Sequence, residues 1–268
     1  MSQVQPWIAV LALATTTAAA PQDSLVKARQ AYNRLDFDRA IAEAERARQR
    51  PELTDAAGVV LARALLERHR QGSRESDLTA AREALAQVDP GRLTPRDRGE
   101  WTIGLGESLY LSGAYGAAAD IFDTAMALIP ALESGPRDRL VRWWALAIDQ
   151  EARQAQGAGR QRHYARMLER MESVLRSSPE STAAAYWLVV AAVGLGDARR
   201  AWDAAVAAWV RAPLAGERTE AVRADLDHLV RQLVIPECAK QAKPSDRAGR
   251  VSTLQSEWEA IRQAWSRR

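Results

Sequence analysis

The chain has 268 residues, 47% of them hydrophobic and 26% charged, which is enough apolar material for a sizeable core or an extended array and too much for a disordered chain. Its 37 basic and 34 acidic residues are interspersed, so the formal charge of +3 comes without the basic stripe that nucleic-acid binders use to displace counterions; no nucleic-acid partner is expected. Ala, Leu, Arg and Glu dominate and alternating β-branched runs do not occur, which predicts helix throughout and excludes a β-sheet protein.

The first element is Trp7 to Ala20, WIAVLALATTTAAA, an uncharged apolar run that closes on small residues before Pro21. It reads as a secretory signal within residues 1–20. Its 14 residues fall short of the roughly 20 that cross a bilayer. A periplasmic or extracellular location is expected. The alternative is an uncleaved segment, residues 7–20, that anchors the chain and provides its one membrane contact.

From residue 23 to 213 the pattern is of paired helices, over about 24–51, 55–90, 95–130, 138–178 and 179–213. Gly113, Tyr115, Ala118, Ala125 and Pro130 have counterparts 83 residues later in Gly196, Ala198, Ala201, Ala208 and Pro213. A shift of 78 places Asp36, Phe37, Ala40, Ala44 and Ala47 under Ala114, Tyr115, Ala118, Phe122 and Ala125. Recurrent small residues mark recurrent close crossings, with Gly106 and Ala118 as holes for Tyr115 and Phe122. Thr94-Pro95 and Ser178-Pro179 read as helix caps followed by a first-turn proline, each opening a new hairpin. In the two other units the helices are split by QGSRESD and by GAGR.

In the best copy, Leu105, Gly106, Leu109, Gly113, Tyr115, Ala118, Phe122, Ala125 and Pro130 follow the signature of the tetratricopeptide repeat, which the chain resembles. That family builds helix-turn-helix units of about 34 residues. The resemblance implies an all-α fold, an α-solenoid of stacked antiparallel hairpins whose first helices line a concave groove for a protein or peptide. On the family's register the groove positions are Leu25, Arg29 and Tyr32 in the first copy, Ile103, Glu107 and Tyr110 in the best, and Tyr186, Val190 and Val193 in the last. Family members that hold chaperone tails use asparagines and lysines; here the asparagine is Asn33 alone and the lysines are Lys27, Lys240 and Lys243, so that clamp is not expected.

Residues 214–268 read as capping helices. Arg218 to Val234 carries Val222, Leu226, Leu229, Val230 and Leu233 on one face and stops at Pro236. In the last helix Val251, Leu254, Trp258, Ile261 and Trp265 are spaced 3, 4, 3 and 4, a stripe that suits a cap on the final repeat. A docking helix for another protein is the alternative.

A search for chemistry returns little. His69, His163 and His228 lie in separate hairpins without metal-ligand spacing, and neither catalytic nor cofactor motifs occur, so no catalytic residue, cofactor or metal is expected. Glu100 and Glu107 share a helix face and read as solvated surface. Cys238 reads as a small buried apolar residue, with an intermolecular disulfide as the alternative. Most of the tryptophans read as core filler. The expectation is therefore a non-enzymatic exported scaffold for protein–protein interaction, or, alternatively, a glycan-binding or assembly component of a cell-envelope uptake system.

Overall fold

The computed structural model describes residues 21–128 and 134–266, and among them every regular element is helical. The expected signal or anchor at 7–20 and the helix stop at Pro130 lie outside these residues. Five pairs follow one another: α1 (Pro21–Asn33) with α2 (Phe37–Arg48), α3 (Thr54–Gly72) with α4 (Glu75–Ala86), α5 (Pro95–Leu111) with α6 (Tyr115–Leu128), α7 (Ser134–Gln154) with α8 (Gly157–Ser177), and α9 (Thr182–Gly194) with α10 (Ala198–Arg211). Each helix packs on its neighbours in sequence. The first helices of successive pairs also pack on one another, α1 on α3, α3 on α5, α5 on α7 and α7 on α9, whereas the second helices meet less closely, α6 and α8 through the ion pairs of Arg166 and Arg170 with Asp123 and α8 and α10 through that of Glu172 with Arg200. An array that touches along one side and spreads along the other must curve, so α1, α3, α5, α7 and α9 form the concave layer of an α-solenoid.

In four pairs the turn is made by a single left-handed residue: Leu35 (φ 62°), Ser73 (φ 51°), Gly113 (φ 80°) and Gly196 (φ 74°). The next residue caps the second helix. The Asp36 carboxylate accepts from the Arg39 N–H at 3.3 Å and Asp197 from Arg200 at 3.0 Å, while the middle copy has Ala114.

The hole at Gly106 is real. A Cβ there would lie 2.5 Å from Cε1 of Phe122, whose fully buried ring is stacked on Trp143 at 6.1 Å. Tyr115 does not fill a hole; it packs edge-on against Tyr110 at the mouth of the turn. The same device recurs where Gly194 receives the ring of Tyr164, again 2.5 Å from where a Cβ would stand. Beside two small clusters around Leu25 and around Val88, two large hydrophobic cores result. One runs through α1–α4, the other from α5 to the C-terminus, and α5 serves both, through Trp101, Leu105 and Leu111 on one side and Ile103 on the other.

The C-terminal region caps the second core. The stripe of α13 (Arg247–Trp265) faces inward: Leu254 and Trp258 are buried, and Val251, Ile261 and Trp265 pack on the same core. The Trp258 indole N–H donates to Asp227 at 2.8 Å, and its ring meets Trp209 edge-on at 5.3 Å. Cys238 is buried, and its thiol donates to the Ala198 carbonyl.

Several local readings need correction. Pro236 does not end α11 (Thr219–Leu229). The chain widens into a π-turn over Val230–Val234, with Ile235 N–H bonded to Val230 O, and continues as α12 (Ile235–Ala239), so the proline sits in a first turn that needs no donor. The extra residue rotates the face, burying Val234 and Ile235 and leaving Leu233 exposed. Ser178 ends α8, and Ser181 caps α9, its hydroxyl oxygen accepting from Ala184 N–H at 3.2 Å. Asp138 of α7 draws the start of α9 to this point by accepting from Ser181 Oγ (2.5 Å), Thr182 N–H (2.9 Å), Thr182 Oγ1 (2.9 Å) and Ala183 N–H (3.2 Å). GAGR forms the first turn of α8, and only Ser73 and Arg74 separate α3 from α4.

Candidate functional site

The inner helices each contribute a stripe to the concave face, spaced by three and four residues as one helical face requires. Arg29 and Tyr32 come from α1, Val60, Arg63 and Glu67 from α3, Arg96, Asp97, Glu100, Ile103 and Glu107 from α5, and Arg139, Leu140 and Trp143 from α7. Together they enclose a first cleft of about 290 Å³. Beyond α7 the face continues into a second cleft of about 350 Å³, between Arg142 and Leu146, Thr182 and Tyr186 of α9, and Val222, Asp225 and His228 of α11.

Arg63 organises the first cleft. It is only 9% exposed, and its guanidinium donates through Nη1 to Glu100 at 2.7 Å and through Nη2 to the Tyr32 hydroxyl at 3.0 Å. Its Nε lies 3.1 Å from Oε2 of Glu107, an ionic contact not aligned as a hydrogen bond. Glu107 is 1% exposed, and neither of its carboxylate oxygens accepts a hydrogen bond. Burial therefore dominates its titration and pushes the carboxyl up to about 7, against the pull of Arg63. Burial likewise raises the Tyr32 hydroxyl to about 12. Burial alone would lower Arg63, but Glu107, Tyr32 and Glu100 outweigh it and hold the guanidinium above its ordinary value. Glu107 and Glu100 are thus ion partners within the cleft, a correction to their reading as solvated surface; charged residues default to solvent only where no partner waits inside.

Toward the other end of the cleft Arg29 pairs with Asp97 at 2.7 Å, and Asp97 also accepts from the Thr94 hydroxyl at 2.9 Å. Arg96 and Arg139 are exposed there and make neither hydrogen bond nor ion pair among the described residues.

Of the groove positions read from the sequence, Arg29, Tyr32, Ile103 and Glu107 come together in the first cleft, and Tyr186 lines the second. Tyr110 lies behind the lining, its ring edge-on to Tyr115 at 5.2 Å and to Trp143 at 5.1 Å. Leu25 belongs to the core with Ala47 and Ala57. Val190 is buried and Val193 packs on the core, because α9 is covered by α7 and by Val230–Val234. The sequence reading misses Arg63, Glu67, Arg139 and Trp143. Val59, Arg63 and Glu67 do show a four-residue spacing, but α3 and α7 belong to long units whose register against the family pattern is lost. Trp143 lines the cleft, and Trp144 turns away beneath Arg166 and Arg170, 5.6 and 6.0 Å from its ring centre.

Among the described residues no three of His, Cys, Asp and Glu gather as a metal site, and no helix is long and apolar enough to cross a membrane. No protein-family model, curated protein or solved structure matches the chain, so the concave face is read from its own chemistry.

Proposed function

We propose that the chain is an exported, non-enzymatic scaffold of the tetratricopeptide type that holds an extended segment of a protein partner along its concave face. The observation that carries this reading is that the inner helices present recognition groups in consecutive clefts. Arg96 and Arg139 in the first and Arg142 and Arg218 in the second have no ion partner among the described residues, and they stand beside the aromatic edges of Trp143 and Tyr186. Exposed arginines and aromatics are the groups that dominate protein recognition.

In the first cleft Asp97 faces Arg29, Glu100 and Glu107 face Arg63, and Glu67 bonds Arg70, and on this reading these carboxylates serve as ion partners that shape the groove. A glycan site calls for aromatic faces and amides exposed together. Here Tyr32 packs on Phe37, Trp143 on Phe122 and Tyr110, and Asn33 is the one amide at the first cleft, which favours the peptide reading.

Affinity capture from envelope fractions tests the proposal, comparing the intact protein with an Arg139→Glu, Arg142→Glu variant whose changes are exposed and outside the core. A partner captured by the first and lost by the second is expected, and an unchanged set of partners refutes the groove. Export rests on the composition of residues 7–20, and mass spectrometry of the protein from its native cell should find a chain that lacks residues 1–19 or 1–20.

A further inference from the structure

The first cleft is electrically bipolar. At its deep end the buried Arg63 and the nearby Arg70 meet three carboxylates, Glu67, Glu100 and Glu107, leaving one negative charge in excess when all are ionised. Glu107 is the least satisfied of them: it is 1% exposed, aimed into the cleft, and without a hydrogen bond to either oxygen. A buried acceptor in that condition is costly until a donor arrives. At the other end Arg29 and Asp97 cancel, and Arg96 and Arg139 remain as two exposed positive charges.

The distance between the ends is set by α5. Arg96 and Glu107 lie on one stripe of an unbroken helix, eleven residues apart. At 1.5 Å per residue that is about 16 Å. An extended peptide advances roughly 3.3 Å per residue and covers the same span in about five. Between the charged ends the wall is Ile103, Tyr32 and Trp143, a surface for apolar or small side chains.

Building on the peptide-groove reading, we infer that the first cleft selects an extended segment carrying a basic side chain and, about five residues away, an acidic one. The basic group donates to Glu107 at the deep end, and the acid meets Arg96 and Arg139 at the rim. A uniformly acidic segment would place a carboxylate against Glu107, and a uniformly basic one would place a cation against the two arginines, so each satisfies only half of the cleft. The lowered cost of ionising Glu107 beside a ligand cation works in the same direction.

The test is fluorescence anisotropy with end-capped, labelled nonapeptides that hold Lys and Glu five positions apart on an Ala/Ser/Leu background. Controls replace Lys by Gln, Glu by Gln, or place the two charges adjacent. The paired peptide should bind best, with a loss of roughly fivefold or more for each charge removed and a similar loss for the adjacent arrangement. The Arg96→Glu, Arg139→Glu variant should come to prefer a Lys/Lys peptide, and Glu107→Gln should lose its preference for Lys while keeping that for Glu. Circular dichroism verifies that both variants fold. Binding that ignores charge pattern or spacing, or a ranking unchanged in the arginine variant, overturns the inference and leaves the peptide groove standing. If no peptide binds, the inference falls, and the capture experiment with Arg139→Glu, Arg142→Glu decides separately whether the groove falls with it.

Discussion

Replacing Gly106 by alanine is the sharpest test of the packing. On helix propensity alone the change should stabilise α5 by about 1 kcal/mol. The structure predicts the opposite sign. The new Cβ would stand 2.5, 2.8 and 2.9 Å from Cε1, Cδ1 and Cζ of Phe122, when ordinary carbon contacts begin near 3.5 Å. The ring would have to retreat by about 1 Å, yet it is wholly buried with Trp143 stacked behind it. Overpacking of this kind costs about 1 to 3 kcal/mol, enough to outweigh the propensity gain. In urea denaturation followed by circular dichroism, Gly106→Ala should lower the midpoint. Gly249→Ala, where a Cβ meets nothing within 4 Å, should hold or raise it. Adding Phe122→Leu to Gly106→Ala should make the pair less harmful than the sum of its parts, since the smaller side chain vacates the clash. A Gly106→Ala protein at least as stable as wild type would refute the reasoning.

Glu107 makes stability depend on pH. Its carboxyl is raised from 4.5 to about 7, so its favourable contribution is fully present below 4.5 and is lost as the pH rises through about 7. Relative to Glu107→Gln, wild type should lose up to roughly 3 kcal/mol between those limits, and a flat difference in urea midpoints from pH 4 to 8 would exclude the effect. Asp138→Ala removes the acceptor shared by four donors at the start of α9 and should cost about 2 kcal/mol, with Asp138→Asn intermediate, as measured by thermal denaturation. Leu35 holds a left-handed backbone (φ 62°) and is 69% exposed, so Leu35→Gly should leave the unfolding free energy in urea unchanged or raise it by up to about 1 kcal/mol; a clear loss would refute the strain.

The solenoid was readable because its causes are local and repeated. Gly113 and Gly196 mark two equivalent turns, and Gly106 signals a crossing that only a missing side chain permits. Signals that depend on a distant partner were not readable. Ser178-Pro179 has the composition of a helix start, yet the start is fixed three residues later by Asp138, a neighbour only after folding. Pro236 looks like a terminator until a π-turn places it where no N–H is required. The cleft shows the same division. Arg29, Tyr32, Ile103 and Glu107 follow from register within two units, but Arg63 lies in a unit whose register is obscure, and without it nothing reveals that Glu107 is held inside.

The Arg63 network also has a consequence for how the chain comes apart. The two hydrophobic cores meet at α5, and on the concave side the seam is crossed from α3 by the contacts of Arg63 with Glu100 and Glu107. Repeat arrays unfold piecewise unless neighbouring modules are coupled. Here an ionic rivet adds to that coupling. With Arg63 shortened to methionine, the front four helices and the remainder should melt in two steps.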